Sequence, residues 1–316
     1  MSIERILADR ELVEDIARQL GAGGHGLSDT QLREAADAVR DGRESQLSAQ
    51  EEAIIRRLGR PVFFIRDNQI VDLAGVWRDR IEPTRQQLQA RFPSIGRIEV
   101  ARHPKLTWAG TGWLIAPDVI ITNRHVVRLL GSTVEGRFVL DVDPYGDPVQ
   151  LSVDFVREHQ SQTCRVFDVV RVLHVEEGPD RPDVALLKIA RTGTQDEAQA
   201  EPIGLADRDP PPGSAVAAVG YAAWDGARNP EDVMFQIFKN IYDVKRLHPG
   251  EVLGANRYLE HDCSTLGGNS GSTVLDVATG CAVGLHFAGD YERKNFAVKS
   301  SALQEILHRQ RILGAG

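Results

Sequence analysis

The sequence predicts a mainly β protein, a barrel or a sandwich, preceded by a short helical segment. Three features lead there. From about residue 96 onward, short runs of β-branched and apolar residues follow one another, separated by Gly, Pro, Asp and Asn. Before residue 60 the apolar residues recur at helical spacing instead. Beyond residue 96 only the final stretch, "SALQEILHRQRIL", is convincingly helical, and many close-spaced strands without intervening helices point to a barrel or sandwich.

The helical segment covers residues 1–60. Ile6, Leu12, Val13, Ile16 and Leu20 form one stripe, which "GAGGHG" ends. Ser28 with Gln31 has the form of a capping box and opens a second helix bearing Leu32, Ala36 and Val39. Ser48 with Glu51 repeats that signal ahead of Ile54, Ile55 and Leu58, and Gly59 stops the run. Three such helices can form a small bundle. A packing appendage, a propeptide and a regulatory or recruitment module are all open readings.

Residues 61–95 form a linker. In "PVFFIRDNQIVDL" the Asp67-Asn68 pair marks a hairpin turn, and "EPTRQQLQARF" reads as a helix with Pro83 in its first turn. The strand-like runs then follow in order: "GTGWLIAPDVIITNRHVV", "GRFVLDVD", "VQLSVDFV", "CRVFDVVRVLHV", "DVALLKI", "AVAAVGY", "VMFQIFKNIYDV" and "CAVGLHFAG".

Composition narrows the function. With 37 basic and 45 acidic side chains the net charge is −8, which argues against nucleic-acid binding. The chain has 316 residues, 42% of them hydrophobic, enough for a substantial core. No apolar run approaches the roughly 18 to 20 residues that span a bilayer. The opening "MSIERILADRELVED" is charged throughout, unlike a secretory signal, so a cytoplasmic location is expected. Cys164, Cys263 and Cys281 look like reduced thiols, although the sequence leaves a Cys263–Cys281 bridge open.

Three short segments carry chemistry. A serine hydroxyl attacks a carbonyl only when a base takes its proton and a third group orients that base. His125 follows a buried strand in "DVIITNRHVV", and Asp183 stands directly before an apolar strand in "RPDVALLKIA". Asp180 and Asp168 compete for the acid role, but neither leads directly into so apolar a strand. Ser270 lies in "GGNSGS", where the N–H groups of Gly268 and Ser270 can converge on one oxygen as an oxyanion hole. The nucleophile elbow of α/β-hydrolases does not fit, because Ser272 takes the place of its last glycine.

"TNRHV", "DVALL" and "GGNSGS", in that order, resemble the trypsin-like (chymotrypsin-fold) serine peptidases, and most closely their bacterial glutamyl-endopeptidase branch. The resemblance covers about residues 96 to 305. It implies two antiparallel six-stranded β-barrels with a C-terminal helix over residues 96–316. It also implies serine endopeptidase activity through His125, Asp183 and Ser270, with a protein or peptide substrate and no metal or organic cofactor. In that branch a threonine and a histidine line the specificity pocket, and Thr265 and His286 fill those positions. Such a pair implies cleavage after Glu or Asp. Thr273 departs from the proline often found three residues after the nucleophile, and the N-terminal extension departs from the secreted members. Two other readings use the same residues: a degenerate peptidase fold serving regulation or interaction, and an esterase.

Overall fold

The computed structural model describes residues 60–178, 180–195, 198–226, 231–290 and 294–312. The helices expected over residues 1–59 lie outside these described residues.

Two antiparallel barrels dominate the molecule, each closed by six strands. The first is built from β3 (Ile95–Ala101), β4 (Trp108–Ala116), β5 (Val119–Thr122), β8 (Gln150–Asp154), β9 (Val166–Val175) and β10 (Ala185–Ile189). Going round it, the order is β10-β5-β4-β3-β8-β9, and β10 closes on β9. The second uses β11 (Ala215–Tyr221), β12 (Lys245–Ala255), β13 (Leu259–His261), β14 (Thr273–Asp276), β15 (Ala282–Asp290) and β16 (Lys294–Lys299). There β11 pairs with both β14 and β12, which removes the free sheet edges. Both expected barrels are therefore present. A hairpin of β6 (Gly131–Val134) and β7 (Arg137–Leu140) stands outside them.

Residues 63–95 are more than a connection. β1 (Phe63–Arg66) and β2 (Gln69–Ile70) form a hairpin whose turn residues Asp67 and Asn68 take φ of 49° and 57°, the left-handed pair this turn demands. β1 extends the second barrel by pairing Phe63 with Leu247. Helix α1 (Val76–Ile81) runs into a 3₁₀ turn, Glu82–Thr84, and then α2 (Arg85–Gln89). Pro83 sits where a missing N–H leaves no bond unmade, as its place in a first turn suggests. Trp77, Ile81, Leu88 and Phe92 enter the main core beside Trp113, Leu186, Leu247 and Leu285.

One expectation is overturned. "VMFQIFKNIYDV" is not a strand but carries helix α4 (Glu231–Phe238), with α3 (Arg124–Arg128) preceding it in the chain. Among the described side chains of this helix Met234, Ile237 and Phe238 are buried, spaced i, i+3, i+4, a helical rather than an alternating pattern. The terminal helix α5 (Ser300–Arg309) forms as the sequence predicts and buries Leu303, Ile306 and Leu307. Each such side chain contributes about 1.5–3 kcal/mol relative to exposure.

The barrels meet over buried polar contacts. Lys245, at the start of β12, donates to the carbonyls of Phe92 (2.9 Å) and Phe155 (2.7 Å), and the Tyr221 hydroxyl donates to that of Val156 (3.1 Å). These bonds fasten the end of the first barrel to the second. Cys164, Cys263 and Cys281 are free thiols, with Cys263 buried. Among the described residues no helix is long and apolar enough to cross a membrane.

Candidate active site

The stretch from Thr122 to His125 turns the end of a buried strand into a set of outward contacts. All four residues of β5 are buried, so the strand has one fixed place in the barrel wall. Thr122 Oγ1 donates to the Thr111 carbonyl at 2.7 Å. Asn123 is extended (φ −80°, ψ 149°) and begins α3, yet its side chain does not cap the helix. Its amide instead donates to the Asp183 carbonyl at 3.0 Å.

His125 follows in the first turn of α3. Its Nδ1 lies 2.5 Å from Asp183 Oδ2, and its backbone N–H donates to Asp183 Oδ1 at 3.0 Å. A carboxylate only accepts, so in the neutral ring the proton sits on Nδ1 and the lone pair is left on Nε2. Burial pushes the Asp183 carboxyl up. The hydrogen bonds from His125, the charge that ring can carry, and the Arg124 guanidinium outweigh this and hold it below its ordinary value. The competing acids stand elsewhere: the Asp180 side chain is 94% exposed and faces Arg257, and Asp168 pairs with Ser152 within the first sheet.

The loop of Ser270 is gripped by both barrels. From the first barrel, Thr111 N–H donates to the Ser270 carbonyl (2.9 Å) and Thr111 Oγ1 to that of Gly268 (3.1 Å). From the second, the His286 carbonyl accepts the Gly271 N–H and His286 N–H donates to Ser272, both at 2.9 Å. A Cβ placed on Gly110 would sit 3.0 Å from the Ser270 carbonyl oxygen and 3.0 Å from Val126 Cγ2. The helix of His125 and the loop of Ser270 therefore close on the same point of β4.

The N–H groups of this loop divide into two sets. Gly267 donates to Asp225 Oδ2, Asn269 to Leu266, Gly271 to His286 and Ser272 to Asn269. Gly268 and Ser270 meet no acceptor among the described residues. Gly268 holds φ +83°, and a Cβ there would come within 2.4 Å of Trp108 and 2.7 Å of the Tyr221 carbonyl. Only glycine fits that seat.

The two expected pocket residues are engaged separately. Thr265 Oγ1 donates to Asn295 Oδ1 at 2.8 Å, and Asn295 in turn donates to the Cys263 carbonyl at 2.6 Å. His286 Nδ1 lies 3.3 Å from His261 Nε2, and among the described residues no hydrogen bond joins His286 to Thr265. His248 is buried close by, its Nδ1 on the Ser264 carbonyl at 2.6 Å. Burial is the main reason all three imidazoles titrate low, His248 and His286 at about 3 and His261 well below its ordinary value. Charge adds to this: the Arg246 guanidinium lowers His248 further, as a protonated His286 would, and a protonated His125 would lower His286.

Thr111, Asn123, Arg124, Asn295, His248 and His261 were not singled out in the sequence. Their partners lie far along the chain, and their immediate neighbours carry no signal for such contacts.

A family model described as a trypsin-like peptidase domain matches residues 110–285, a span holding His125, Asp183 and Ser270. The chain belongs to that family. Among solved structures it is similar to the serine endoprotease from Yersinia pestis, at 18% identity and a TM-score of 0.47. That match covers 71% of this chain and 65% of the other, so this chain spans less than two thirds of the other chain's length. Comparison with curated proteins returns no match.

Proposed function

We propose that the chain is a serine endopeptidase in which Ser270 is the nucleophile, His125 the base and Asp183 the group that orients the base. The observation that carries this reading is the 2.5 Å contact of His125 Nδ1 with Asp183 Oδ2, beside the Ser270 loop that both barrels grip. With Nδ1 protonated, Nε2 takes the proton of the Ser270 hydroxyl as its oxygen attacks the peptide carbonyl. The N–H groups of Gly268 and Ser270, which meet no acceptor among the described residues, receive the charge that develops on that carbonyl oxygen. His125 then passes its proton to the leaving amine, and water reverses the sequence at the acyl-enzyme. Asp183 stays ionised throughout, as its lowered titration favours.

The same reading assigns Thr265 and His286 to a pocket for Glu, and less readily Asp, before the scissile bond. A neutral, buried His286 fits this role only with an anion present. A substrate carboxylate would return the charge that burial removes, and Thr265 would turn its hydroxyl from Asn295 to the ligand. The enzyme works in the cytoplasm, where its three thiols stay reduced.

Residues 1 to about 60 set when or where the peptidase acts, through contact with the barrels or with a partner protein. Support comes from their point of entry. Ser264 Oγ donates to the Arg60 carbonyl at 2.8 Å, and Arg60 pairs with Asp262 at 3.3 Å, directly beside Thr265.

Digestion of a peptide library tests the substrate class. Cuts after Glu support the pocket assignment. Cuts after Lys, Arg or large aromatics overturn it and leave the triad standing. Turnover of esters with no peptide cut at all would favour an esterase.

A further inference from the structure

Arg124 stands beside the proposed triad and has no role in the mechanism above. Its side chain is 16% exposed, low for an arginine, and it points at the loop that delivers Asp183. Its Nη1 donates to the carbonyls of Glu176 (3.1 Å) and Gly178 (2.8 Å) and approaches that of Arg181 (3.5 Å). Its Nε lies 3.9 Å from Asp183 Oδ1, the oxygen that also accepts the His125 N–H.

Asp183 comes from the end of an irregular loop, and its carboxylate must meet both the Nδ1 and the N–H of His125. A guanidinium is a rigid, permanently charged fork, suited to binding several carbonyl oxygens in one orientation.

We propose that Arg124 is a positioning residue of the triad: it clamps the loop carrying Asp183 and keeps a fixed cation beside that carboxylate. This rests on the triad reading above. Among the described residues the partners of its side chain all belong to the Asp183 loop, so the clamp acts on Asp183. Other charged groups face the same region. Glu176 is held by His174 (2.9 Å) and by Arg309 of α5, Asp180 pairs with Arg257, and His286 feels the charge of His125. Of these groups only His125 also lies on Asp183, and Arg124 is the one whose charge there is permanent. Without Arg124 the His125–Asp183 pair takes up a proton more readily, and the loop holds the carboxylate less tightly.

The test follows the inactivation of the full chain by a fluorophosphonate probe, which depends on the triad and not on the specificity pocket. Arg124→Gln should lower the maximal inactivation rate roughly ten- to a hundredfold, with probe affinity changed less than about twofold. Its loss of reactivity on the acid side should begin about half a pH unit higher. Arg124→Lys keeps the cation and loses the fork, so its acid limb should stay in place while the maximal rate falls about threefold or more. Parent-like rates and pH limbs in both variants overturn the proposal. A slower Arg124→Gln with an unmoved acid limb also overturns it, reducing Arg124 to a packing residue. If Arg124→Gln does not fold, judged by thermal melting, Arg124→Lys decides: a slower rate with an unmoved limb supports the proposal, and a parent rate ends it. If the parent itself is not labelled at Ser270, the triad reading fails instead.

Discussion

His125 touches the carboxylate of Asp183 twice, with Nδ1 at 2.5 Å from one oxygen and its own N–H at 3.0 Å from the other. The ring and the backbone that carries it are thus referred to one group. Rotation of the imidazole away from Asp183 would break the first contact, and movement of α3 would break the second.

Asp183→Asn should therefore act on chemistry rather than on the fold. An amide can donate to Nδ1, which puts the imidazole proton on Nε2, the atom that must accept from Ser270. The expected loss in kcat is about ten-thousandfold, with KM little changed. Steady-state kinetics on a peptide substrate checks this, and a variant within about tenfold of the parent would move the orienting role elsewhere.

Gly268→Ala tests the oxyanion loop. The added methyl would meet Trp108 at 2.4 Å and the Tyr221 carbonyl at 2.7 Å, at a residue with φ +83°. The loop must shift, taking the Gly268 N–H with it. A drop in kcat of about a hundred- to a thousandfold is expected, with a loss of about 1–3 kcal/mol in stability from backbone strain. Parallel kinetics and thermal melts separate the two effects.

How much of this was legible beforehand depended on the range of the forces involved. Short β-branched and apolar runs bounded by Gly, Pro, Asp and Asn are a local signal, and they marked the segments that became β4, β5 and β9 to β11. The hairpin at Asp67-Asn68 was legible for the same reason, since its turn chemistry lies within four residues. The run "VMFQIFKNIYDV" misled because a short, mostly apolar stretch fits a buried strand as well as a helix. Only its packing, with Met234, Ile237 and Phe238 inward, decides between them. His125 and Asp183 stood out because each abuts a buried strand. That Asn123 binds the Asp183 carbonyl, 60 residues away, has no local trace. The same holds for Thr265 and Asn295, which meet across a span of 30 residues.

The buried histidines predict acid sensitivity. His248 and His286 titrate at about 3 in the fold, against 6.5 ordinarily. These values are depressed, so below pH 6.5 the unfolded chain takes up protons that the folded chain refuses. Stability is fully present above that pH and falls as pH drops toward 3, by up to about 1.4 kcal/mol per unit for each histidine. Thermal melts between pH 7 and 4 should show a steep decline, and His248→Gln should make it shallower by about one proton. An unchanged slope in that variant would mean that His248 is already protonated in the fold.

The pocket prediction concerns direction as well as preference. Thr265→Val and His286→Ala should each lower kcat/KM for substrates with Glu before the scissile bond by about tenfold or more, the effect of leaving a buried carboxylate without a donor. Substrates with an apolar residue there should lose less. Equal losses for both classes would assign the two side chains to loop support, through the Asn295 and His261 contacts they make.

The central claim is that Ser270 is the nucleophile, and its most direct test is the site of covalent labelling. The full chain is treated with a fluorophosphonate probe and digested, and the adduct is mapped by mass spectrometry. One adduct is expected, on Ser270, absent from Ser270→Ala together with peptide turnover, while the melting temperature stays close to that of the parent. An adduct on another residue, or a Ser270→Ala variant that still cuts peptides at the parent rate, would contradict it.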